Sequence, residues 1–557
     1  MTRRSGFKIM KELILVLDHL KYTMLFAILN GTLGFLCAMG VTVSGAIYLA
    51  KCFGENISLS YNSIILIAIL CGVFRGILRY FEQYTNHYIA FKLLAVLRDK
   101  VFSALRRLSP AKLDNKQKGS IISMITSDIE TLEVFYAHTI SPICIAILVS
   151  SIVVVFVSIV SSIWLGFVAF IAYLVIGILV PVYFSKQLKQ SGVIYRNEFS
   201  SFNAYFLDSI KGIKDIVLNN ASHIRKEEVN KRSEKLLNEM KNMRHEITKS
   251  MAITEWFVSM FILFTLFVGI VLVLNHLLTP GKMIIGVVTI FSSFGPVLAI
   301  SALPGNLTQT FASADRILNL LKEQPVVEEI VKGKTFNFET LDINQLSFSY
   351  NHQEEVLKDV SMHVNKGEII GIVGDSGCGK STLMKLLLRF FEVSYGSILF
   401  NDININEIQT SNLLDNVTMV SQTTYLFDET IEENLRIAKQ DATIEEIIEA
   451  CKMASIHDFI SSLEEGYQTR VGSLGSRLSA GEKQRIGLAR AFLSGSELIL
   501  LDEPTSNVDS MNEGIILKAL KDLKHKKTII LVSHRESTMA IADRIYHIKK
   551  GCMYESK

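Results

Sequence analysis

The chain has 557 residues, of which 49% are hydrophobic and only 20% are charged, and its mean hydropathy is +0.33. Soluble domains carry about 25% charged residues, so the composition argues against a wholly soluble protein. The 57 basic and 54 acidic residues nearly balance, so no nucleic acid is expected as a partner. The seven cysteines are scattered without a Cys-x-x-Cys motif, which argues against a disulfide framework and against a cysteine zinc site.

Long stretches without charge predict a membrane domain. Asp, Glu, Lys and Arg are absent for 29 residues after Lys21, for 52 residues after Glu133 and for 32 residues after Lys282. A helix needs about 20 apolar residues to cross a bilayer core, so the longest stretch accommodates two crossings. Two shorter apolar runs add one crossing each. The sequence therefore predicts six spans, at about 22–50, 57–78, 135–160, 162–185, 254–275 and 283–305.

Basic residues predict the orientation of these spans. The segments 75–118 and 186–249 hold ten and thirteen Lys and Arg residues, which places both segments and both chain termini in the cytoplasm. Both segments are helical in pattern, and each turns back once, at about 109–119 and 207–222. Apolar residues at helical spacing before the first span predict an amphipathic helix on the inner membrane surface.

Two features of the spans bear on packing and cargo. Span one is rich in small residues that permit close helix packing, namely Gly31, Gly34, Gly40 and Gly45. Arg75 and Arg79 lie near the inner end of span two, where arginines reach the lipid headgroups or attract an anionic solute. Headgroup contact is the favoured alternative of the two.

A second domain begins near residue 335, after a charged linker at 322–334. Alternation of period two predicts strands at 335–339 and 346–350. A buried strand at 368–374 then runs into a complete phosphate-loop motif and a helix. In this motif backbone N–H groups surround phosphates, Lys380 reaches the β and γ oxygens, and Ser381 holds Mg²⁺. The predicted nucleotide-binding residues are Gly374, Asp375, Ser376, Gly377, Cys378, Gly379, Lys380, Ser381 and Thr382.

A second apolar strand, beginning at Glu497, ends in two carboxylates. Asp502 is predicted to join the Mg²⁺ shell, and Glu503 to polarise the attacking water as general base. A solvated strand end is the alternative for such a pair. The position of the pair after a hydrophobic strand and downstream of a phosphate loop favours the functional interpretation.

The residues before that strand carry a family resemblance. Leu478, Ser479, Ala480, Gly481 and Glu482, followed by Lys-Gln-Arg, resemble the signature motif of the ATP-binding cassette (ABC) family. Together with the six spans, the whole chain resembles a half-transporter of the type IV exporter-fold group. The resemblance implies an all-α six-helix transmembrane domain with long cytoplasmic extensions, at 1–321, and an α/β P-loop cassette at 335–557.

The resemblance also implies roles for residues outside the phosphate loop. Tyr350 resembles the aromatic residue that stacks on adenine, Asp509 the D-loop carboxylate, and His534 the switch histidine that contacts the γ-phosphate. Gln422 resembles the Q-loop residue that senses Mg²⁺ and the membrane domain. The implied catalytic set is therefore Glu503, His534 and Gln422, and the implied metal set is Ser381, Gln422 and Asp502.

Two further expectations concern the contact between the domains. The hairpin tips near 109–120 and 209–219 are implied to be coupling helices that press on the cassettes. Exporters usually carry an acid at the end of the Thr-x-Val-Gly-Glu motif, whereas Thr469-Arg-Val-Gly-Ser473 lacks it. An altered contact between this loop and the coupling helices is therefore expected.

The family's function is ATP-driven transport by two subunits. Two ATP molecules are sandwiched between two cassettes with Mg²⁺, each completed by the other cassette's signature, and hydrolysis resets an inward- and outward-facing cycle. An exporter in a bacterial inner membrane, with its ATPase domain in the cytoplasm, is expected.

Residues 28–39 and 502–513 are most similar to CydC-type subunits, which pair with a CydD-type partner in cysteine and glutathione export. A heterodimer is favoured. The alternatives are a homodimeric lipid, drug or peptide exporter, an importer on the same fold, and a non-pumping channel or regulatory ATPase.

Overall fold

A computed structural model describes residues 6–16, 20–113, 118–301, 303–350, 354–505 and 510–555. The chain divides into two compact units. The first comprises Met1–Arg107 and Lys116–Glu323, and the second comprises Leu108–Asn115 and Gln324–Lys557.

The first unit is built from helices in its described part. Three short π-helical segments, Met124–Asp128, Tyr136–Ile140 and Val175–Leu179, interrupt the α-helices. The α-helices are α1 (Gly6–Val16), α2 (Lys21–Cys52), α3 (Tyr61–Leu108), α4 (Lys118–Ser123), α5 (Ile129–Thr131), α6 (Glu133–Phe135), α7 (Ser141–Val160), α8 (Ile163–Leu174), α9 (Val180–Lys211), α10 (Ile213–Leu218), α11 (Ser222–Leu274), α12 (Pro280–Ser292), α13 (Gly295–Ser301) and α14 (Leu303–Lys322).

Six stretches of the described chain are long and apolar enough to cross a membrane, which confirms the number of spans predicted. These stretches are Lys21–Cys52, Tyr61–Leu108, Ile121–Val160, Ile163–Lys211, Ser222–Leu274 and Pro280–Ser301. The helices α3 and α11 run for 48 and 53 residues. At 1.5 Å per residue they are about 70 and 80 Å long, far more than a bilayer core needs. The exact limits of the spans stay predictions.

The predicted turns coincide with breaks between helices. The helix α3 ends at Leu108, and α4 begins at Lys118. Between α9 and α11 the chain forms the short helix α10, and Asn220 adopts a left-handed conformation with φ of 52°. Residues 114–117 lie outside the described residues, so the predicted first coupling helix is described only in part.

The helices of the first unit pack through small and branched side chains. Val149, Val153 and Val157 recur every fourth residue along α7 and are all buried. They belong to one core cluster with Leu165 and Ala169 of α8. Residues four apart lie on one face of a helix, so this spacing produces the seam between the two helices.

The amphipathic helix predicted before span one is α1. Ile9 and Leu13 are buried, and the Tyr136 hydroxyl donates to the Leu13 carbonyl over 3.1 Å. Part of its apolar face is therefore covered by protein rather than by lipid.

The second unit contains eight α-helices and ten strands in its described part. The helices are α15 (Lys380–Leu387), α16 (Thr410–Asn416), α17 (Ile431–Arg436), α18 (Ile444–Met453), α19 (His457–Ser462), α20 (Ala480–Leu493), α21 (Ser510–Asp522) and α22 (Glu536–Met539). The strands are β1 (Thr340–Phe348), β2 (Leu357–Asn365), β3 (Ile369–Gly374), β4 (Tyr395–Phe400), β5 (Ile403–Asn404), β6 (Val417–Val420), β7 (Leu498–Asp502), β8 (Thr528–Val532), β9 (Arg544–Lys549) and β10 (Cys552–Glu555).

The strands form two sheets. A four-stranded antiparallel sheet has the order β2-β1-β4-β5, and a six-stranded sheet has the order β10-β9-β3-β8-β7-β6. In the larger sheet only the pairing of β10 with β9 is antiparallel. Leu498 and Leu500 of β7 join one core cluster, whereas Ile499 and Leu501 join the other. Successive side chains point to opposite faces, so the strand is apolar throughout because both faces are covered.

The strand predicted at 335–339 is wrong, although its alternation is real. Phe336 and Phe338 are buried as expected, but residues 335–339 form no strand, and the nearest pairing is an isolated bridge between Lys334 and Ile408. The N–H groups of the two phenylalanines donate to the side chains of Asn412 and Asn416, over 2.8 and 3.3 Å. The side-chain amides of two asparagines therefore satisfy backbone N–H groups that a neighbouring strand would satisfy in a β-sheet.

Candidate ATP-binding site

The predicted phosphate loop connects β3 to α15. Gly377 and Gly379 have φ of 81° and 108°, values that favour glycine. A Cβ at Gly379 would lie 2.7 Å from Leu357, and one at Gly374 would overlap the Ile548 carbonyl. A Cβ at Gly377 would meet nothing within 4 Å. Crowding by neighbouring atoms therefore favours glycine at Gly374 and Gly379, and backbone conformation favours glycine at Gly377 and Gly379.

Lys380 begins α15 and is buried. Its Nζ donates to the carbonyls of Gly374 and Asp375, over 2.7 and 2.8 Å. The ammonium therefore lies across the loop, and the half-buried Cys378 thiol is 3.9 Å from it. Asp375, Ser376 and Ser381 are exposed, so the loop presents an accessible face with N–H groups and hydroxyls.

Asp502 ends β7 beside the phosphate loop and makes a side-chain hydrogen bond with Ser381. Burial raises the pKa of the Asp502 carboxyl, while the hydrogen bond from Ser381 acts in the opposite direction. A serine hydroxyl and a carboxylate are hard oxygen donors of the kind that Mg²⁺ prefers. The juxtaposition of Ser381 and Asp502 thus fits the predicted Mg²⁺ site.

Glu503, Gln422 and His534 are brought together by the larger sheet. The Gln422 Nε2 donates to Glu503 Oε2 over 3.0 Å, and His534 Nδ1 lies 3.4 Å from Glu503 Oε1. The three residues follow β6, β7 and β8, which are adjacent parallel strands. The carboxyl ends of parallel strands meet at one edge of a sheet, which is where such folds bind ligands.

The backbone of Glu503 is held in an unusual conformation. Its φ is 50°, in the left-handed region, and its N–H donates to the Val532 carbonyl over 3.0 Å. Such conformations persist where the surroundings enforce them, and they cluster at functional sites. The carboxylate is therefore aimed by its backbone as well as by Gln422 and His534.

Tyr350 lies against the helix of the phosphate loop. Its hydroxyl and that of Thr382 share a hydrogen bond of 3.0 Å. The ring meets Phe348 and Phe391 edge-on, at centroid distances of 4.9 and 5.1 Å, and 44% of the residue is exposed. An exposed aromatic ring beside the loop has the position that the predicted stacking on adenine needs, and that role stays a prediction.

The signature residues lie at the N-terminus of α20. The Ser479 hydroxyl accepts from the Glu482 N–H over 3.3 Å, and Glu482 accepts from the Ser479 N–H over 2.8 Å. This capping box leaves Ser479 and Ala480 exposed at the positive end of the helix dipole, while Leu478 is half-buried. Gly481 is buried, and a Cβ there would lie 2.9 Å from Asn512.

A cavity connects the Q-loop with the signature helix. Its volume is about 320 Å³, and its lining includes Gln422, Ala480 and Pro504. Pro504 directly follows Glu503, so the cavity borders the group formed by Gln422, Glu503 and His534.

Three residues that sequence reasoning did not single out form a bonded group next to His534 in the chain. Arg535, the neighbour of His534, is paired with the buried carboxylate of Glu513. The Ser537 hydroxyl donates to the same carboxylate over 2.6 Å, and this hydrogen bond is the main cause that lowers the pKa of Glu513. The sequence signal that could have identified Glu513 is its position as an acidic residue in the first turn of α21. The predicted D-loop residue Asp509 lies outside the described residues.

Known proteins share this organisation along the chain. Residues 357–506 match the family described as ABC transporter, and residues 22–297 match the ABC transporter transmembrane region. The chain is 47% identical over 552 residues to an ABC transporter ATP-binding/permease protein of Haemophilus influenzae, across 99% of this chain and 100% of that protein. It is 32% identical over 492 residues to a multidrug export ATP-binding/permease protein of Bacillus subtilis, across 87% and 83%. Both names are provisional. The chain belongs to the ABC transporter family.

A solved structure has the same fold. It is that of a bacterial Atm1-family ABC exporter with ATP bound, with a TM-score of 0.82, 22% identity, and coverage of 96% of this chain and 95% of that one. The predicted fold, a six-span helical domain followed by an α/β cassette, is confirmed. The chain is therefore a multi-pass membrane protein with an ATP-binding domain, whose ATP hydrolysis is coupled to transmembrane transport.

Proposed function

We propose that this chain is one subunit of a dimeric ABC exporter that moves a solute out of a bacterial cell. The observation that carries the proposal is the hydrogen-bonded group of Gln422, Glu503 and His534 next to an intact phosphate loop. The name of the Bacillus subtilis relative supports export over import. The basic segments 75–118 and 186–249 support an orientation with the ATP-binding domain in the cytoplasm.

The residues of the site divide the work of ATP hydrolysis. The glycines of the phosphate loop and Lys380 hold the phosphates, and the exposed Tyr350 ring supports the base. Glu503 accepts a proton from the attacking water. Gln422 and His534 each contact one carboxylate oxygen of Glu503, and through these contacts they help to orient the water. Ser381, Asp502 and Gln422 would hold Mg²⁺, which would neutralise charge on the phosphates.

The second cassette completes each site. The signature of this chain, at the exposed start of α20, serves the nucleotide on the partner, and the partner's signature serves the nucleotide here. ATP therefore favours the closed pair of cassettes, and hydrolysis releases it. A ligand shifts a conformational equilibrium by its preference for one state, which links ATP to the inward- and outward-facing cycle.

Two substitutions test the assignment of the site. Glu503→Gln keeps the size of the side chain but removes the base, so ATP turnover should fall about 10²-fold or more while ATP binding remains. Lys380→Ala should prevent binding itself. Glu449→Gln, an exposed change on α18, is the matched control and should leave turnover unchanged. Wild-type turnover by the Glu503→Gln protein would show that the base lies elsewhere or on a partner subunit.

The exported solute has two candidate classes. The similarity of residues 28–39 and 502–513 to CydC-type subunits favours thiol export as a heterodimer. A groove on α3 favours an aromatic or drug-like solute, since Tyr80, Tyr84, Tyr88 and Phe91 line a cavity of about 640 Å³ and are all exposed. ATP-dependent uptake of glutathione and of a fluorescent dye into inverted vesicles separates these classes. Uptake of neither would argue against both of these solute classes.

A further inference from the structure

Two histidines and a glutamate come together in the first unit, whereas the predicted ATP-binding residues belong to the second. One nitrogen each of His87 and His138 and one carboxylate oxygen of Glu133 lie within 4.8 Å of one another. His87 Nδ1 is 3.3 Å from Glu133 Oε1, and the two imidazole rings are 5.4 Å apart at an angle of 75°. His87 belongs to α3, and the other two residues belong to the segment that follows α5.

A π-helical turn accounts for the second half of this group. Glu133 and His138 are five residues apart, and on a regular α-helix they would point about 140° away from each other. The segment Tyr136–Ile140 is π-helical, a form in which residues five apart fall on the same side. The Thr139 hydroxyl donates to the Val134 carbonyl, also five residues back, over 2.9 Å. The break in the helix thus aligns Glu133 with His138.

The surroundings hold the three side chains in place. Phe135 and Thr139, on the other side of the turn, are buried. The His87 ring stacks on Phe91 at a centroid distance of 6.0 Å. The side chains of His87 and Glu133 are still 39% and 31% exposed, so a solvated ion can reach them.

A cavity with several polar side chains in its lining adjoins the group. It has a volume of about 300 Å³ and is lined by His138, Asn86 and Glu82, among others. Asn86 is only 2% exposed, and its side-chain oxygen has no hydrogen-bond partner among the described residues. A buried acceptor without a donor costs free energy unless a water or a ligand satisfies it.

We propose that His87, Glu133 and His138 form a binding site for a divalent transition metal ion of the zinc class. Two imidazoles and one carboxylate are a ligand set that binds such ions while leaving a coordination position open. Bonds of about 2.0–2.2 Å place tetrahedral ligand atoms roughly 3.4 Å apart, so the present separations close by small side-chain rotations. Mg²⁺ prefers oxygen ligands and does not compete at such a site.

The site joins two spans. His87 lies past the predicted end of span two at residue 78, and Glu133 lies just before the predicted start of span three at residue 135. A bound ion therefore ties α3 to the segment 133–138 near the end of both spans, and His138 lines the same cavity as Asn86. The group is separate from the ATP site, so the proposal goes beyond the proposed function and does not depend on it.

Cobalt binding tests the proposal. The full chain, purified in detergent through a tag without histidine, is titrated with Co²⁺, whose visible absorption reports nitrogen and oxygen ligation. We expect one Co²⁺ per chain, displaced by Zn²⁺, and an increase in melting temperature with Zn²⁺. Absence of saturable binding by the wild-type chain, or a spectrum dominated by thiolate ligation, would overturn the proposal.

Single substitutions assign the ligands. Loss of outer-shell partners alone weakens metal sites about 10–100-fold, so His87→Ala, His138→Ala and Glu133→Gln should each weaken binding by more than about tenfold. His245→Ala, an exposed histidine of α11, is the matched control and should bind like the wild type. Glu133→Gln keeps the size of its side chain, and its melting temperature without metal shows whether the variant is folded. Unchanged affinity in a folded Glu133→Gln or His138→Ala protein would reject the site.

Discussion

At the scale of single residues, the phosphate loop places a thiol near the ammonium that is predicted to bind phosphate. The Cys378 thiol lies 3.9 Å from Lys380 Nζ and is half-buried, while Cys52 and Cys552 are exposed elsewhere. A group attached to this sulfur would occupy the space over the loop. Labelling of Cys378 therefore reports directly on the site.

Maleimide should inhibit ATP turnover, and ATP should protect against it. We expect complete labelling of Cys378 to lower turnover at least about tenfold through loss of the phosphate contacts. Cys378→Ser should be active and insensitive to the reagent, whereas Cys552→Ser, the control, should remain sensitive. Turnover that survives complete labelling of Cys378, read by mass spectrometry of the peptides, would place this loop away from the nucleotide.

Arg79 shows how a neighbour changes the role of a residue. From its position near the end of span two, headgroup contact or attraction of an anionic solute was expected. The structure pairs Arg79 with Glu82, which is 4% exposed, over 2.6 Å. Residues three apart on a helix are neighbours, so this partner was available in the sequence. The pair gives Arg79 a carboxyl partner within the protein, which weakens the expectation of an anion site there.

The site residues differ in how far the sequence could predict them. The phosphate loop is contiguous, so its geometry follows from local order alone. Gln422 and Glu503 are 81 residues apart, and His534 lies 31 residues further on. Their meeting depends on the order of β6, β7 and β8, which propensity does not determine. Glu503 was predicted from the apolar strand that it follows, whereas Gln422 and His534 came from family resemblance. The pairing of Arg535 with Glu513, next to His534 in the chain, was found only in the structure.

At the scale of elements, span one packs through its glycines in a graded way. A Cβ at Gly31 would overlap Ile145 and lie 3.0 Å from Glu82, and a Cβ at Gly40 would lie 2.8 Å from the Cys71 sulfur. Gly34 is in ordinary contact with Leu78. A Cβ at Gly45 would meet nothing within 4 Å. Close packing, predicted for all four glycines, therefore applies to three of them.

This gradient predicts opposite effects for the same substitution. Alanine removes the flexibility cost of glycine in a helix, about 0.5–1 kcal/mol, so Gly45→Ala should raise the melting temperature of the purified protein slightly. Gly31→Ala must displace Ile145 and should destabilise by about 1–3 kcal/mol. The two melting curves in one detergent provide the comparison. Equal shifts in the two variants would contradict the close contact at Gly31.

The antiparallel sheet carries a pH-dependent pair. His363 of β2 lies directly opposite Asp342 of β1, and His363 Nδ1 is 2.6 Å from the Asp342 carboxylate. The hydrogen bond to Asp342 raises the pKa of His363. A pKa raised in the folded state gives stability that is complete below the unfolded pKa, near 6.5, and is lost as the pH rises through the folded pKa.

Removal of the partner should matter most in acid. Asp342→Asn should lower the melting temperature more at about pH 6 than at about pH 8.5, by the equivalent of at most about 1 kcal/mol because His363 is half-exposed. Glu407→Gln, which removes the exposed ion pair with Lys334, is the control and should show no such difference. A larger effect at the alkaline pH would contradict the direction assigned to His363.

Irregular elements escaped prediction for a physical reason. Alternating apolar residues at 335–339 matched the pattern of a strand. Such alternation indicates which side chains are buried, but it does not indicate which groups hydrogen-bond to the backbone. The π-helical turn at Tyr136–Ile140 lies inside a stretch without charge, where helical periodicity gives no sign of an inserted residue. Only the side chains that the turn aligns, Glu133 and His138, indicate its use.

At the scale of the whole molecule, the chain contains one phosphate loop and one signature. The resemblance implies that the two meet across a pair of cassettes, so half of each ATP site is expected to belong to another subunit. Ser473, where exporters usually carry an acid, donates to the Asp428 carboxylate over 3.2 Å. An acid is thus adjacent to the loop although the motif lacks one, and the expected change in its contacts is smaller than the substitution alone suggests.

The identity of the partner is therefore the property that decides the substrate, and native mass spectrometry measures it. The tagged chain is extracted from its own cell with its partners bound. Two copies of the 62.4 kDa chain would mean that this sequence alone lines the translocation path, which favours a lipid or drug exporter and gives the aromatic groove of α3 in both halves. A complex with a different subunit of similar mass would support the CydC-like heterodimer and make cysteine and glutathione the first solutes to test.

Because Glu503→Gln should trap closed cassettes with ATP, the same measurement on that variant should show the dimer with two nucleotides. A monomer without nucleotide would contradict the composite site.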